Sequence, residues 1–301
     1  MKSIPAKVQL VLSVFVFGTV GIFVHYISAP SAFIAMVRGF IGGGFMLLFI
    51  PLSGKKPDLP AVRKRFIPLF SSGALIGLNW IFLFEAFHYT SVATATLCYY
   101  MAPIFVLLLS PFITKERLQV KKCVCVAVSL IGMVFVSGVA KNGSPAAGEL
   151  RGILLGLAAA VTYSAIILLN QRLGEVPVYE KTAVQLLAAA LIALPYCLIS
   201  EDLFSIRLST VQLLLLIFVG VFNTGLIYAL YFGSMCRVSA QSVAIIGYID
   251  PVVAVILSSV VLRQSLDLYG WIGGILILGS ACISELNIKK PLPNSSGRES
   301  G

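Results

Sequence analysis

Of the 301 residues, 58% are hydrophobic and only 11% are charged, more apolar surface than a water-soluble domain of this size can hide. The formal net charge of +10 sits in short blocks between apolar runs, so it reads as a topology signal and not as a nucleic-acid footprint. Cysteines 98, 123, 125, 197, 236 and 282 lie in or beside apolar runs, and Cys123 and Cys125, two apart, point to different helix faces; no metal site and no cofactor is expected.

In chain order, hydropathy predicts spans at roughly 8–26, 32–52, 66–88, 92–113, 123–140, 152–171, 181–199, 210–232, 238–262 and 270–287. Each approaches the ~20 residues that a helix rising ~1.5 Å per residue needs to cross the hydrocarbon. The first run follows Lys2 and Lys7 without a small-x-small cleavage site, so it reads as a span and not as a secretory signal. Residues 288–301 read as a disordered polar tail. The expectation is an all-α integral membrane protein of about ten transmembrane helices, with the lipid bilayer as its partner.

With the N-terminus inside, the inner loops and span ends hold 17 Lys and Arg residues and the outer ones only Lys141, Arg151, Arg207 and Arg263. The positive-inside rule then places both termini in the cytoplasm. Shifting the chain by 148 residues lays Ser91 on Ser239, Tyr100 on Tyr248, Pro103 on Pro251, Ser110 on Ser258 and Leu118 on Leu266, and a shift of 147 lays Pro30 on Pro177. Five spans per half is an odd number, so the halves (8–140 and 152–287) enter the bilayer in opposite senses, as inverted repeats.

In each half a proline-bearing fourth span is followed by a polar turn, Lys115-Glu116-Arg117-Leu118 or Arg263-Gln264-Ser265-Leu266. A glycine-rich fifth span comes next, clearest at Gly270-Trp271-Ile272-Gly273-Gly274. Over residues 8 to about 288 the chain resembles the drug/metabolite transporter superfamily, in its EamA-type two-repeat branch. It departs from internal symmetry where Gln264 answers Glu116 and Gly270 answers Lys122. The resemblance implies an inner-membrane secondary carrier working by alternating access, often an exporter of amino acids, related metabolites or drugs.

Within the spans, Arg38 stands near the middle of the second, where a cation costs ~2.5–3.5 kcal/mol on insertion scales. It reads as a structural ion pair or as a clamp for a substrate carboxylate or phosphate. The matching position holds Gln185, so fold symmetry does not demand the charge. Asp250, directly before Pro251, is a counter-charge to Arg38 or a proton site, on a small-residue strip with Gly247, Ala254 and Ser258. Glu85 and His88, on one face near the outer end of the third span, read as a solvated pair or as a gate or proton relay; His25 reads as interfacial.

Pro103 and Pro251 are expected to kink their helices and to leave the carbonyls of Tyr99 and Gly247 without i+4 partners. Tyr100 and Tyr248 would then wall a mid-membrane cavity. Around it the expected substrate-binding set is completed by Asn79, Trp80, Tyr99, Tyr163, Asn170, Asn223 and Tyr228, with Tyr231 beside them on the eighth span. The glycine pairs Gly39/Gly43 and Gly270/Gly274 read as helix contacts.

An intramembrane protease would need a serine with a histidine base or two catalytic aspartates; both histidines lie near outer ends and Asp250 is the one aspartate inside a span. A channel would repeat charged rings or filter loops, and no GxxxxGK[ST] loop offers ATP drive. The expectation is therefore no enzyme but a secondary carrier, an exporter of an amino acid or similar small polar metabolite, with protons as candidate coupling ion. The alternatives are a multidrug extruder, against which Arg38 counts, and a flippase of lipid-linked intermediates.

Overall fold

The computed structural model describes residues 4–54, 56–90, 92–136, 150–203, 205–261 and 268–285. Among them every regular element is helical, as a chain in hydrocarbon requires when each backbone donor must find its acceptor within the segment. Six helices are long and apolar enough to cross a membrane: Ala6–His25, Ser31–Leu52, Phe66–Tyr89, Leu150–Gln171, Val178–Ser200 and Thr210–Met235. They form spans one, two, three, six, seven and eight. Span five is Val120–Val136 and span ten is Leu268–Glu285.

Spans four and nine, expected as continuous kinked helices, are each two helices. The fourth is Val92–Tyr99 followed by Ala102–Ile113, and the ninth is Ala240–Ile246 followed by Ile249–Val261. Pro103 and Pro251 stand in the first turn of the second piece, where the missing N–H has no intrahelical acceptor to lose. The reading of a kink is thus corrected to a break, and the Gly247 carbonyl is not left bare: it accepts the Asp250 amide at 3.2 Å. Two further elements were not foreseen. Leu59–Lys64 forms a short helix capped by Asp58, whose carboxylate accepts the Ala61 amide. The eighth span widens into a π-helical segment at Val219–Leu226. The tail 288–301 lies outside the described residues.

The packing follows the inverted symmetry. Span two lies against span seven and span five against span ten, each pairing mapping onto itself. Span one lies against span nine as span six lies against span four, and span two touches span eight as span seven touches span three. Pro30 and Pro177, matched in sequence, both precede the first turn of the second helix of their half, with nearly the same backbone angles.

Because lipid tails are as apolar as leucine, close contact and buried hydrogen bonds hold these helices together. A Cβ on Gly77 would stand 2.6 Å from the Ala189 carbonyl oxygen, and one on Gly43 would stand 2.7 Å from the Leu187 side chain. Spans two and three therefore ride directly on span seven. Span three is tied to span six by Asn79, whose amide donates to the Ala159 carbonyl at 2.7 Å. Ser129 and Ser280 share a 2.6 Å hydrogen bond between spans five and ten.

Candidate functional site

Between the halves lies a cavity of about 390 Å³, lined from spans one, two, three, four, six, eight and nine. Its walls use Phe17–Val24 from the end of span one, Ser31–Arg38 from the start of span two and Ile76–Phe84 from the later part of span three. The end of span one, the start of span two and the later part of span three all lie toward the face opposite the N-terminus, so the cavity extends from mid-span to that face.

Arg38 reaches this cavity seven residues into span two, with its guanidinium carbon 5.4 Å from the centroid of the Trp80 ring. Its Nε is buried without a hydrogen bond, and among the described residues neither Asp250 nor Glu85 forms a salt bridge with it. A planar cation held over an indole with its Nε unpaired keeps a donor of the kind that carboxylates and phosphates accept. Gly39, the next residue, lets the helix approach closely: a Cβ there would stand 3.1 Å from Ala190 and 3.3 Å from the Trp80 ring.

Asp250 lines the same cavity at the start of the second piece of span nine. It accepts a hydrogen bond from the Tyr100 hydroxyl and lies in the electrostatic field of Arg38 without touching it. Its backbone is pressed from behind by span one, since a Cβ on Gly18 would lie 2.8 Å from the Asp250 carbonyl oxygen. The small-residue strip through Gly247 and Asp250 thus borders the cavity at its Asp250 end.

The remaining wall is aromatic. Tyr99 and Tyr163 have centroids 5.4 Å apart, the Tyr163 and Tyr231 hydroxyls share a 2.7 Å hydrogen bond, and Phe17 packs against Tyr228 and Tyr231 at 4.8 and 5.3 Å. The Trp80 indole donates to the Tyr228 hydroxyl. Asn223 lines the cavity from the π-helical segment, its amide 3.4 Å from the Val16 carbonyl.

Ten residues singled out in the sequence meet here: Arg38, Asn79, Trp80, Tyr99, Tyr100, Tyr163, Asn223, Tyr228, Tyr231 and Asp250. Four do not line it. Tyr248 is fully buried and donates its hydroxyl to the Tyr100 carbonyl at 2.9 Å, so it fastens the break in span nine to the break in span four. Asn170 belongs to a buried network in which it donates to Ser72 and accepts from Gln185, each at 3.0 Å. Glu85 accepts the Tyr196 hydroxyl at 2.7 Å, with the His88 ring nitrogen 3.8 Å away, and ties span three to span seven outside the cavity. Sequence reasoning missed Phe17, Phe84 and Phe232, which line the cavity but lie in apolar runs where no polar atom distinguishes them.

On the side of the N-terminus, away from the cavity lining, polar contacts join the halves. The Glu116 carboxylate accepts the Ala240 amide at 2.7 Å and the Gln241 amide at 3.4 Å. The Lys122 ammonium donates to Ser239 and Ser242 at 3.0 and 3.1 Å, and the Gln241 side chain donates to Ser110 at 2.9 Å.

Two stretches, residues 5–138 and 150–285, each match the model of the EamA-like transporter family. The chain belongs to that family. Among curated relatives of this EamA-like protein, the uncharacterised transporter YxxF of Bacillus subtilis is 28% identical over 281 residues, covering 93% of this chain and 89% of its own. The aromatic amino acid exporter YddG of Ancylobacter novellus is 26% identical over 186 residues, 62% of this chain and 63% of its own. A solved crystal structure superimposes with a TM-score of 0.82 at 22% identity, over 93% of this chain and 98% of the other. The protein is a multi-pass membrane transporter with the ten-helix fold of its family.

Proposed function

We propose that the protein is a secondary carrier that exports an amino acid, with an aromatic or large apolar side chain favoured, from a cytoplasm that holds both its termini. The observation that carries the reading is the Arg38 guanidinium, without a carboxylate partner among the described residues and facing a cavity of about 390 Å³ that Asp250 also lines. A cation and an anion held apart across one cavity suit a zwitterion: carboxylate to Arg38, ammonium to Asp250. The tyrosines, Trp80 and Phe17 give its side chain flat surfaces on which to stack. The name of the Ancylobacter relative, an aromatic amino acid exporter, supports that substrate class. The excess of Lys and Arg in the loops on the N-terminal face supports the orientation. In that orientation the cavity faces outward and the Glu116 and Lys122 contacts close the inside.

Protons are the coupling ion in this reading, because Asp250 can release its charge to a bound ammonium or to a proton but not to both. The test is counterflow of labelled phenylalanine, tryptophan, leucine and glutamate in proteoliposomes carrying the wild type, Arg38→Ala or Asp250→Asn, each checked for folding. Exchange of an aromatic amino acid that folded Arg38→Ala abolishes supports the clamp. Exchange that survives Arg38→Ala, or movement of none of the four, overturns it. Asp250→Asn is expected to slow exchange, for want of the ammonium's counter-charge, and to lose its acceleration by a pH gradient; a retained gradient response removes Asp250 from coupling.

A further inference from the structure

The turn that joins spans four and five in the first half holds the start of span nine in the second, and it does so with charges that its repeat partner lacks. Glu116 accepts the Ala240 and Gln241 amides, two of the first backbone donors of Ala240–Ile246 that the helix itself leaves unpaired. Lys122, 7% exposed, spans the same point by donating to Ser239 and Ser242. Gln241 returns the contact to Ser110 and to the Arg117 carbonyl at 3.3 Å. Lys115, the residue before Glu116, adopts φ 60°, a left-handed conformation that a lysine rarely takes. The chain accepts that strain where it turns Glu116 back onto span nine.

Shifted by 148 residues, the same positions read Gln264 for Glu116, Gly270 for Lys122 and Ala93 for Gln241, while Ser91 and Thr94 keep the hydroxyls of Ser239 and Ser242. In sequence the repeat thus keeps the hydroxyls in both halves but provides the carboxylate, the ammonium and the amide to one pairing alone. Hydrogen bonds to charged groups are stronger than those between neutral ones, and a carrier rests in whichever state its differential contacts favour.

We infer that Glu116 and Lys122 form a one-sided clasp that sets the resting orientation of the carrier, holding the N-terminal face shut with the cavity open opposite. Release of these contacts is then the step that opens the N-terminal face, and the clasp makes the empty carrier wait for its next cycle in one state instead of two. It rests on the alternating-access reading above but not on which substrate is carried.

Hydrogen–deuterium exchange on the full-length protein in lipid nanodiscs, without substrate, tests it. In Glu116→Gln and Lys122→Met, amides of Ala240–Ile246 are expected to exchange faster while those of Tyr26–Ile34, at the opposite mouth, exchange more slowly, for a roughly tenfold shift in the ratio of the two states. Ser242→Ala keeps both charges and removes one acceptor of Lys122, so it is expected to shift the same peptides in the same directions by less, and it stands in should either charge variant fail to fold. Faster exchange at Ala240–Ile246 with no slowing at Tyr26–Ile34 would mean a local structural contact and would overturn the clasp, as would no change at either place. Because no substrate is present, failure here is distinct from failure of counterflow.

Discussion

Arg38 and Gln185 occupy matching positions on spans two and seven, yet they meet opposite surroundings. Arg38 looks into the cavity over Trp80, and among the described residues no carboxylate pairs with it. Gln185 is fully buried, donating to Ser72 at 2.8 Å and to Asn170 at 3.0 Å. Asp250 and Ala102 repeat the contrast: Asp250 faces the cavity, whereas the Ala102 carbonyl accepts a hydrogen bond from Ser164 at 2.9 Å. The backbone is built twice, and chemistry is added once to each pair. The symmetric part supplies the scaffold, and the departures from symmetry supply charge in the cavity.

The sharpest way to break this comparison is to erase it. Arg38→Gln makes span two read as span seven does, and it is expected to fold while counterflow falls by at least about 100-fold, as loss of a forked charge partner predicts. Transport near the wild-type rate would show that the asymmetry is incidental. The reciprocal change, Gln185→Leu, removes only a helix tie. Its expected cost is about 1 kcal/mol, read as a small drop in thermal stability in detergent with transport retained; lost transport in a folded protein would move the site toward span seven. Smallest is Glu175, whose carboxyl the Arg65 guanidinium at 3.0 Å holds below the usual carboxylate range. A depressed pKa contributes stability above the unfolded pKa and loses it as pH falls through the folded one. At this exposed pair the contribution is screened, so Glu175→Gln is expected to leave the melting temperature between pH 5 and 8 unchanged.

The span count, the inverted repeat and the charged, asparagine, tyrosine and tryptophan residues of the cavity were legible because hydrocarbon punishes polar groups, so each arginine, aspartate or asparagine inside a span calls for an explanation. Face assignment was less legible. Tyr248 was expected to wall the cavity beside Tyr100, but the break at Gly247 and Tyr248 turns its ring inward, where its hydroxyl finds a carbonyl. Asn170, seven residues after Tyr163, was placed on the same face; the distance along span six carries it past the cavity into contact with Ser72. A proline in an apolar run does not say whether the helix bends or ends, and the π-helical segment at Val219–Leu226 leaves no residue-level mark. Phe17 shows the converse limit, because in a membrane helix an aromatic ring toward lipid and one toward substrate look alike.

The Tyr248 hydroxyl on the Tyr100 carbonyl joins the two broken spans at their breaks. Two hinges that share a hydrogen bond cannot bend independently without severing it. In a carrier, independent hinges would permit a moment when both mouths stand open and ions run down their gradient unaccompanied. In the proposed carrier that one contact, made between the two breaks, would work against such a leak.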